Sequence, residues 1–310
     1  MGTTFAVTVT GSVSDSAADR LREEIEVTLA QVDGAMSTYD PDSELSRFNR
    51  WRRTDWFELS PQTFDVFRHA QEVSRLTRGA FDVTVAPLVD AWGFGATGPA
   101  ASVPTDTHVK ALLANVGETM LEMDDDARRI RKSRPAVQSD LSALAKGYAV
   151  DRVAELLEGG GDGVEGYLIE VGGEVRARGR NEEGRRWRVG VERPVDGPPS
   201  IQRVVELTDS ALATSGDYRN FFEHEGRRYS HTIDPRTGYP VDHALASVSV
   251  VAESCVRADA LATALEVLGP EEGLALAQEQ GWAVFLITRQ ADGTLTEQTT
   301  PGFPAFRPQP

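Results

Sequence analysis

Between residues 167 and 214 five short β-rich runs follow one another, at 167–171, 174–177, 186–191, 201–207 and 211–214, each separated from the next by Gly, Pro or Asp. This succession constrains the fold more than any other feature, because it gives the chain a sheet-dominated middle. Helical periodicity lies on both sides of it: at residues 16–32, stopped by Gly34; at 62–77; at 107–115; at 143–157, closed by Gly159-Gly160-Gly161; at 256–268; and again after Pro270. Ser60-Pro61 reads as an N-cap followed by proline at the first helical position, and Gly79 stands where a C-terminal cap belongs. An opening strand at 4–10, a return strand at 227–233 turning on Glu225-Gly226, strands at 246–252 and 282–288 and a Pro-rich tail complete the pattern. Strands and helices do not alternate as βαβ units, so the expected class is α+β, with mainly antiparallel sheets and flanking helices. No internal repeat or long linker breaks the chain, which points to a single domain over residues 1–310.

Hydrophobic residues make up 40% and charged residues 26%, the balance of a globular chain. A formal charge of −16 without a basic run argues against a nucleic-acid partner. Lysine occurs only at positions 110, 132 and 146, and Cys255 is the single cysteine, so neither an intramolecular disulfide nor a cysteine-rich metal site can form. No apolar run reaches membrane-spanning length, and Met1-Gly2-Thr3-Thr4 carries neither the charged nor the apolar part of a leader.

Three groups of residues could carry chemistry. Asp259 and Thr263, four apart in an expected helix, project a carboxylate and a hydroxyl from one face and could share a hard cation such as magnesium; an acid in the first helical turn beside an ordinary neighbour explains them equally well. Asp140-Leu141-Ser142-Ala143-Leu144-Ala145-Lys146-Gly147-Tyr148 sets an acid and a lysine about a helix start, where backbone NH groups and Lys146 could hold a diphosphate. An Asp N-cap and a solvated lysine are the plainer alternative. Tyr229-Ser230-His231-Thr232-Ile233-Asp234-Pro235-Arg236-Thr237-Gly238 puts His231 three residues before Asp234, so that a carboxylate could orient an imidazole acting as a base or phosphate contact; a turn-building Asp-Pro beside a structural histidine fits as well. G-x-S-x-G and G-x-G-x-x-G are both absent, which removes the serine-hydrolase elbow and the dinucleotide loop.

Taken together with further segments in a fixed order, these groups resemble the FAD:protein FMN transferase, or ApbE-like flavin transferase, family. The segments are Met1-Gly2-Thr3-Thr4-Phe5, Met36-Ser37-Thr38-Tyr39, Ser43-Glu44-Leu45-Ser46-Arg47-Phe48-Asn49, Gly79-Ala80-Phe81-Asp82-Val83-Thr84-Val85 and Trp92-Gly93-Phe94-Gly95. After the Asp140 segment come Glu170-Val171-Gly172-Gly173-Glu174, Thr214-Ser215-Gly216-Asp217-Tyr218, the His231 segment and Ala258-Asp259-Ala260-Leu261-Ala262-Thr263-Ala264. The resemblance spans nearly the whole chain.

What it implies is specific. The fold would be ApbE-like, with the active site in a cleft between two intimately joined subdomains. Magnesium would be held by the Ala143 carbonyl and the side chains of Asp259 and Thr263, and FAD, the substrate, would be contacted by Met1, Tyr39, Ala80, Phe81, Asp82, Asp140, Lys146, Thr232 and Ile233. The enzyme would cleave the FAD diphosphate with Lys146 assisting, attach FMN through a phosphoester to a Thr or Ser hydroxyl of an acceptor redox protein, and release AMP, with His231 and Asp234 handling the hydroxyl proton. The alternatives are a magnesium-dependent FAD pyrophosphatase, in which water replaces the acceptor, and a non-catalytic FAD carrier. The expected compartment is the periplasm, with a leader trimmed and any membrane association owed to a removed N-terminal anchor; the cytoplasm is the runner-up.

Overall fold

The computed structural model describes residues 2–100, 102–161, 163–195, 197–217 and 220–303. Met1, Tyr218 and the Pro-rich tail therefore lie outside the described residues. In chain order the helices are α1 (Asp15–Met36), α2 (Glu44–Arg50), α3 (Pro61–Leu76), α4 (Ala86–Ala91), α5 (Asp106–Leu113), α6 (Ser142–Gly159) and α7 (Cys255–Glu279). The strands begin with β1 (Phe5–Gly11), β2 (Phe57–Glu58), β3 (Leu121–Asp124), β4 (Arg129–Lys132), β5 (Val164–Val171), β6 (Glu174–Arg178) and β7 (Trp187–Glu192). They continue with β8 (Ile201–Leu207), β9 (Ser210–Gly216), β10 (Phe221–His224), β11 (Arg227–Ser230), β12 (Leu245–Ala252), β13 (Ala283–Arg289) and β14 (Leu295–Thr299). Every strand pairing among them is antiparallel, and the class is α+β as the sequence pattern predicts.

The chain divides into two compact units: Met1–Gln31, Lys146–Tyr218 and Ala244–Pro310 form one, Val32–Ala145 and Arg219–His243 the other. The first unit is built on a seven-stranded sheet in the order β1-β5-β6-β9-β12-β13-β14. β5 alternates, burying Tyr167, Ile169 and Val171, whereas β12, between β9 and β13, is buried along nearly its whole length and reads as a continuous apolar run broken only by small serines. α7 packs on β9 and β12. Within this span lie the two helices expected around Pro270, parted by a non-helical break at Gly269 (φ 78°, ψ −178°), where glycine takes a backbone conformation that other residues resist.

The second unit holds a three-stranded sheet in the order β2-β4-β3, the β10–β11 hairpin and helices α2 to α5. Ser60 caps α3 as expected, accepting from the Thr63 NH. Gly34 does not stop α1, which runs on to Met36 because Val32, Ala35 and Met36 are all buried and outweigh the cost of one helical glycine, about 1 kcal/mol. β11 ends at Ser230, short of the expected residue 233; Ile233 instead makes an isolated bridge to Pro240.

Lys132, on β4, is fully buried, with Nζ donating to the carbonyls of Asn49 (3.2 Å) and Trp51 (3.1 Å) at the end of α2 and lying 4.6 Å above the Phe48 ring. Burial pushes this ammonium down to about 8, with the Arg52 charge adding to the shift. Between that value and the ordinary lysine range the folded chain binds fewer protons than the unfolded one, so stability rises with pH across the window. Urea denaturation at pH 7.5 and 9.5 should therefore show wild type gaining about 1–2 kcal/mol on Lys132→Met at the higher pH.

Candidate active site

In the first unit Asp259 and Thr263 stand one turn apart on α7 and share a face, as their spacing requires. Asp259 is only 4% exposed, and its Oδ2 accepts the Gly147 NH of α6 at 3.0 Å. A side chain at 147 would not fit: a Cβ there would lie 2.5 Å from the Cys255 carbonyl oxygen and 2.8 Å from the Val256 Cα. Glycine thus lets α6 lie backbone to backbone against the first turn of α7. Thr263 Oγ1 lies 3.3 Å from the Ser215 hydroxyl of β9.

Lys146, next to Gly147, reaches Glu174 at the start of β6, with Nζ 2.6 Å from Oε1. Glu174 is 2% exposed, and its Oε2 has no hydrogen-bond partner among the described residues. Burial raises the Asp259 carboxyl to about 6 against the pull of Lys146 and the Gly147 NH. Burial raises Glu174 to about 8, with the Asp259 charge adding and Lys146 opposing. Burial pulls the Lys146 ammonium down, but Asp259 and Glu174 together outweigh it and leave it raised. Lys146 balances one carboxylate and burial keeps the second acid protonated near neutral pH, so a cation brought to the pair would let both ionise, and Asp259, Thr263 and Ser215 offer it only oxygens. That donor set fits a hard divalent cation such as magnesium.

In the second unit the Ala80-Phe81-Asp82 turn and the Asp140 turn are brought side by side, the Asp140 NH donating to the Val83 carbonyl at 2.7 Å. Ala80 and Phe81 are buried. Asp82 caps the short turn Val83–Val85, its Oδ1 accepting from the Thr84 NH (2.8 Å) and hydroxyl (2.5 Å), and burial raises its carboxyl. Asp140 accepts the NH of Ser142, the first residue of α6, at 2.8 Å, and burial raises its carboxyl too. Ala143 is the second residue of that helix. Tyr39 is 73% exposed and presents its ring to solvent.

Thr232 and Ile233 are buried, Ile233 among Leu88, Trp92 and Val109. His231 Nδ1 lies 3.1 Å from the Asn220 carbonyl, which can only accept, so Nδ1 carries the proton and Nε2 keeps its lone pair. The orienting place expected of Asp234 is thus taken by a backbone carbonyl. Asp234 turns instead on Arg236, accepting its Nε at 3.0 Å, its Nη2 at 2.9 Å and its backbone NH at 2.8 Å. Local reach explains the change: Asp and Arg two residues apart across a turn close a bidentate pair.

The ApbE family pattern matches residues 1–286. The chain belongs to the ApbE family. A Vibrio cholerae protein named FAD:protein FMN transferase is 43% identical over 293 residues, spanning 94% of this chain and 86% of that protein. Its Escherichia coli K12 namesake is 37% identical over 308 residues, 99% of this chain and 87% of that one. Among solved structures, the flavin transferase ApbE from Vibrio cholerae superposes with a TM-score of 0.89 at 41% identity, covering 99% of this chain and 96% of that one. The apo form of the Pseudomonas stutzeri flavinyl transferase ApbE gives 0.89 at 39%, covering 99% and 94%.

Two features of this ApbE-family site escaped the sequence pattern. Glu174 stood only as the end of a Gly-Gly-Glu segment, and the strand it opens, Glu-Val-Arg-Ala-Arg, is too charged to mark it as buried. Gly147 stood only as a neighbour of Lys146, and nothing local distinguishes a helical glycine that admits a second backbone. Gly147→Ala should cost about 1–3 kcal/mol in chemical denaturation, because backbone atoms of α7, not a flexible side chain, must give way.

Proposed function

We propose that this chain is a magnesium-dependent FAD:protein FMN transferase, which cleaves FAD at its diphosphate, attaches the FMN half through a phosphoester to a Thr or Ser hydroxyl of a target flavoprotein and releases AMP. The observation that carries this reading is the buried oxygen cluster of Asp259 and Thr263 with Lys146 and Glu174, in a chain whose relatives bear the transferase name. Asp259 and Thr263 would hold the metal, which when bound would draw charge from the diphosphate and make AMP a better leaving group. Lys146, kept charged by its two acidic neighbours, adds a fixed positive charge for the phosphates.

In the proposed reaction the acceptor oxygen forms a bond to the FMN-side phosphorus while the bond from that phosphorus to the bridging oxygen breaks, leaving AMP with the electron pair. The hydroxyl proton goes to His231 Nε2, the ring nitrogen that the Asn220 contact leaves unprotonated. Tyr39 offers an exposed ring on which a flavin could stack.

Incubation with FAD, magnesium and an acceptor flavoprotein, read by intact mass and flavin chromatography, tests this. The acceptor should gain the mass of one FMN, with AMP released, and the gain should vanish with chelator. Asp259→Ala should slow transfer at least about 100-fold, the scale at which an electrostatic group at a phosphoryl site is missed. His231→Ala should lower it by about 100-fold or more if Nε2 takes the proton. FMN and AMP with an unmodified acceptor would make the chain a pyrophosphatase, and FAD bound intact without magnesium would make it a carrier.

A further inference from the structure

Helix α7 carries Asp259 and Thr263, and its first turn is held in an unusual way. Ser254, the residue before it, has the extended backbone of an N-cap (φ −122°, ψ 150°), but its side chain makes no capping bond. The leading NH groups of a helix need acceptors from outside. Here both come from one carboxylate on a different helix: Asp151 of α6 accepts the Cys255 NH on Oδ1 at 2.9 Å and the Val256 NH on Oδ2 at 2.8 Å. Oδ1 also accepts from Arg176 Nη1 of β6 at 2.5 Å. One buried acid therefore ties α6, α7 and β6 together, its charge set against the positive end of α7.

The second tie between the two helices lies one turn earlier on α6. There the Gly147 NH meets Asp259 Oδ2. Along α7 the first NH, Asp259 and Thr263 follow at intervals of four residues, so where α7 begins against α6 sets where both oxygen donors stand. A residue of α7 displaced along its axis moves about 1.5 Å, enough to part the Gly147 NH from Asp259. A local cap at Ser254 would satisfy the same NH groups without joining α7 to α6. Capping from α6 does both at once.

We propose that Asp151 is a positioning residue for the reaction: by capping α7 from α6 its carboxylate fixes Asp259 and Thr263 relative to Gly147 and so sets the affinity of their site for a divalent cation. The inference rests on the magnesium reading of that site. It distinguishes a role in position from a role in stability alone, because the two separate once a local cap is supplied.

The test uses Mn2+ alone as probe, its free concentration read by electron paramagnetic resonance against wild type, Asp259→Ala, Asp151→Asn and the double variant Asp151→Asn/Ser254→Asp, with thermal unfolding of each metal-free chain alongside. Wild type should bind Mn2+ and Asp259→Ala should not. Asp151→Asn should bind at least fivefold more weakly, within the range by which groups orienting a metal ligand act. In the double variant the new cap should restore the unfolding temperature while the affinity stays at least fivefold weak, and this variant decides the matter if Asp151→Asn alone folds poorly. Affinity within fivefold of wild type in the double variant, or in a well-folded Asp151→Asn, would overturn the inference and leave Asp151 a cap only. No Mn2+ binding by wild type would instead overturn the magnesium reading, and the inference with it.

Discussion

Burying the Asp259 carboxylate is the demand around which the first unit is arranged. An ionised acid withdrawn from water costs several kcal/mol unless hydrogen bonds and opposite charge meet it. One oxygen is met by the Gly147 NH, and that contact exists only because residue 147 has no side chain to hold α6 away from Cys255. Lys146 supplies the opposite charge, but it is itself held at 2.6 Å by Glu174, so each group that answers Asp259 brings a requirement of its own. The regress ends with two acids, one ammonium and the hydroxyls of Thr263 and Ser215, and burial closes it by raising Glu174 to about 8, where it is uncharged near neutral pH. Two acids with raised carboxyls held together below the surface, with a lysine and hydroxyls beside them, mark a candidate functional site more than a structural ion pair.

The acidic surface sharpens that reading. With a net charge of −16 the chain has no long-range attraction for a diphosphate, so positive charge has to be local. Of the three lysines, Lys132 is fully engaged in holding the end of α2 through two carbonyls, and Lys110 sits in the last turn of α5, where it complements the helix dipole. Many arginines are equally committed: on the β3–β4 hairpin Arg131 pairs with Glu122 and Arg129 with Asp124 directly across the strands, and both lie over the Trp56 ring. Lys146 is the lysine placed beside the oxygen cluster.

How legible all this was depended on range. Ser60-Pro61 announced α3 because capping is a local contest between a side chain and its own helix. The hairpin at Glu225-Gly226 was equally plain, with both turn residues at positive φ. The β3–β4 hairpin was missed because its residues are mostly charged: its strands are held by cross-strand ion pairs and not by apolar alternation, and periodicity of hydrophobic residues cannot see them. α2 was missed for another reason, being seven residues long and stabilised by its Ser43 cap and three buried side chains. In the site, the Asp259–Thr263 spacing was visible as a pair that could share a cation, but on spacing alone it was indistinguishable from an ordinary helix. Glu174 and Asp151 act 28 and 104 residues away from their partners Lys146 and Cys255, and contacts at that distance leave no mark on local pattern.

The His231 segment shows how one motif can divide its labour. Asp234 and Arg236 close a bidentate pair inside the turn, the Asp234 NH donates to the Tyr239 carbonyl, and Gly238 takes a positive φ that leaves it against Leu88 and Val109. The Gly238 carbonyl in turn accepts the buried Trp92 indole NH at 2.9 Å, and the Tyr239 hydroxyl reaches Asp106 at 2.7 Å. The acid of this motif therefore builds the turn, and the turn anchors α4 and α5. A carbonyl at Nδ1 fixes the imidazole tautomer as a carboxylate would, yet adds no full negative charge beside the ring. The charge of Asp234 is answered by Arg236 within the turn, so the acid and the imidazole of one short segment work on separate contacts.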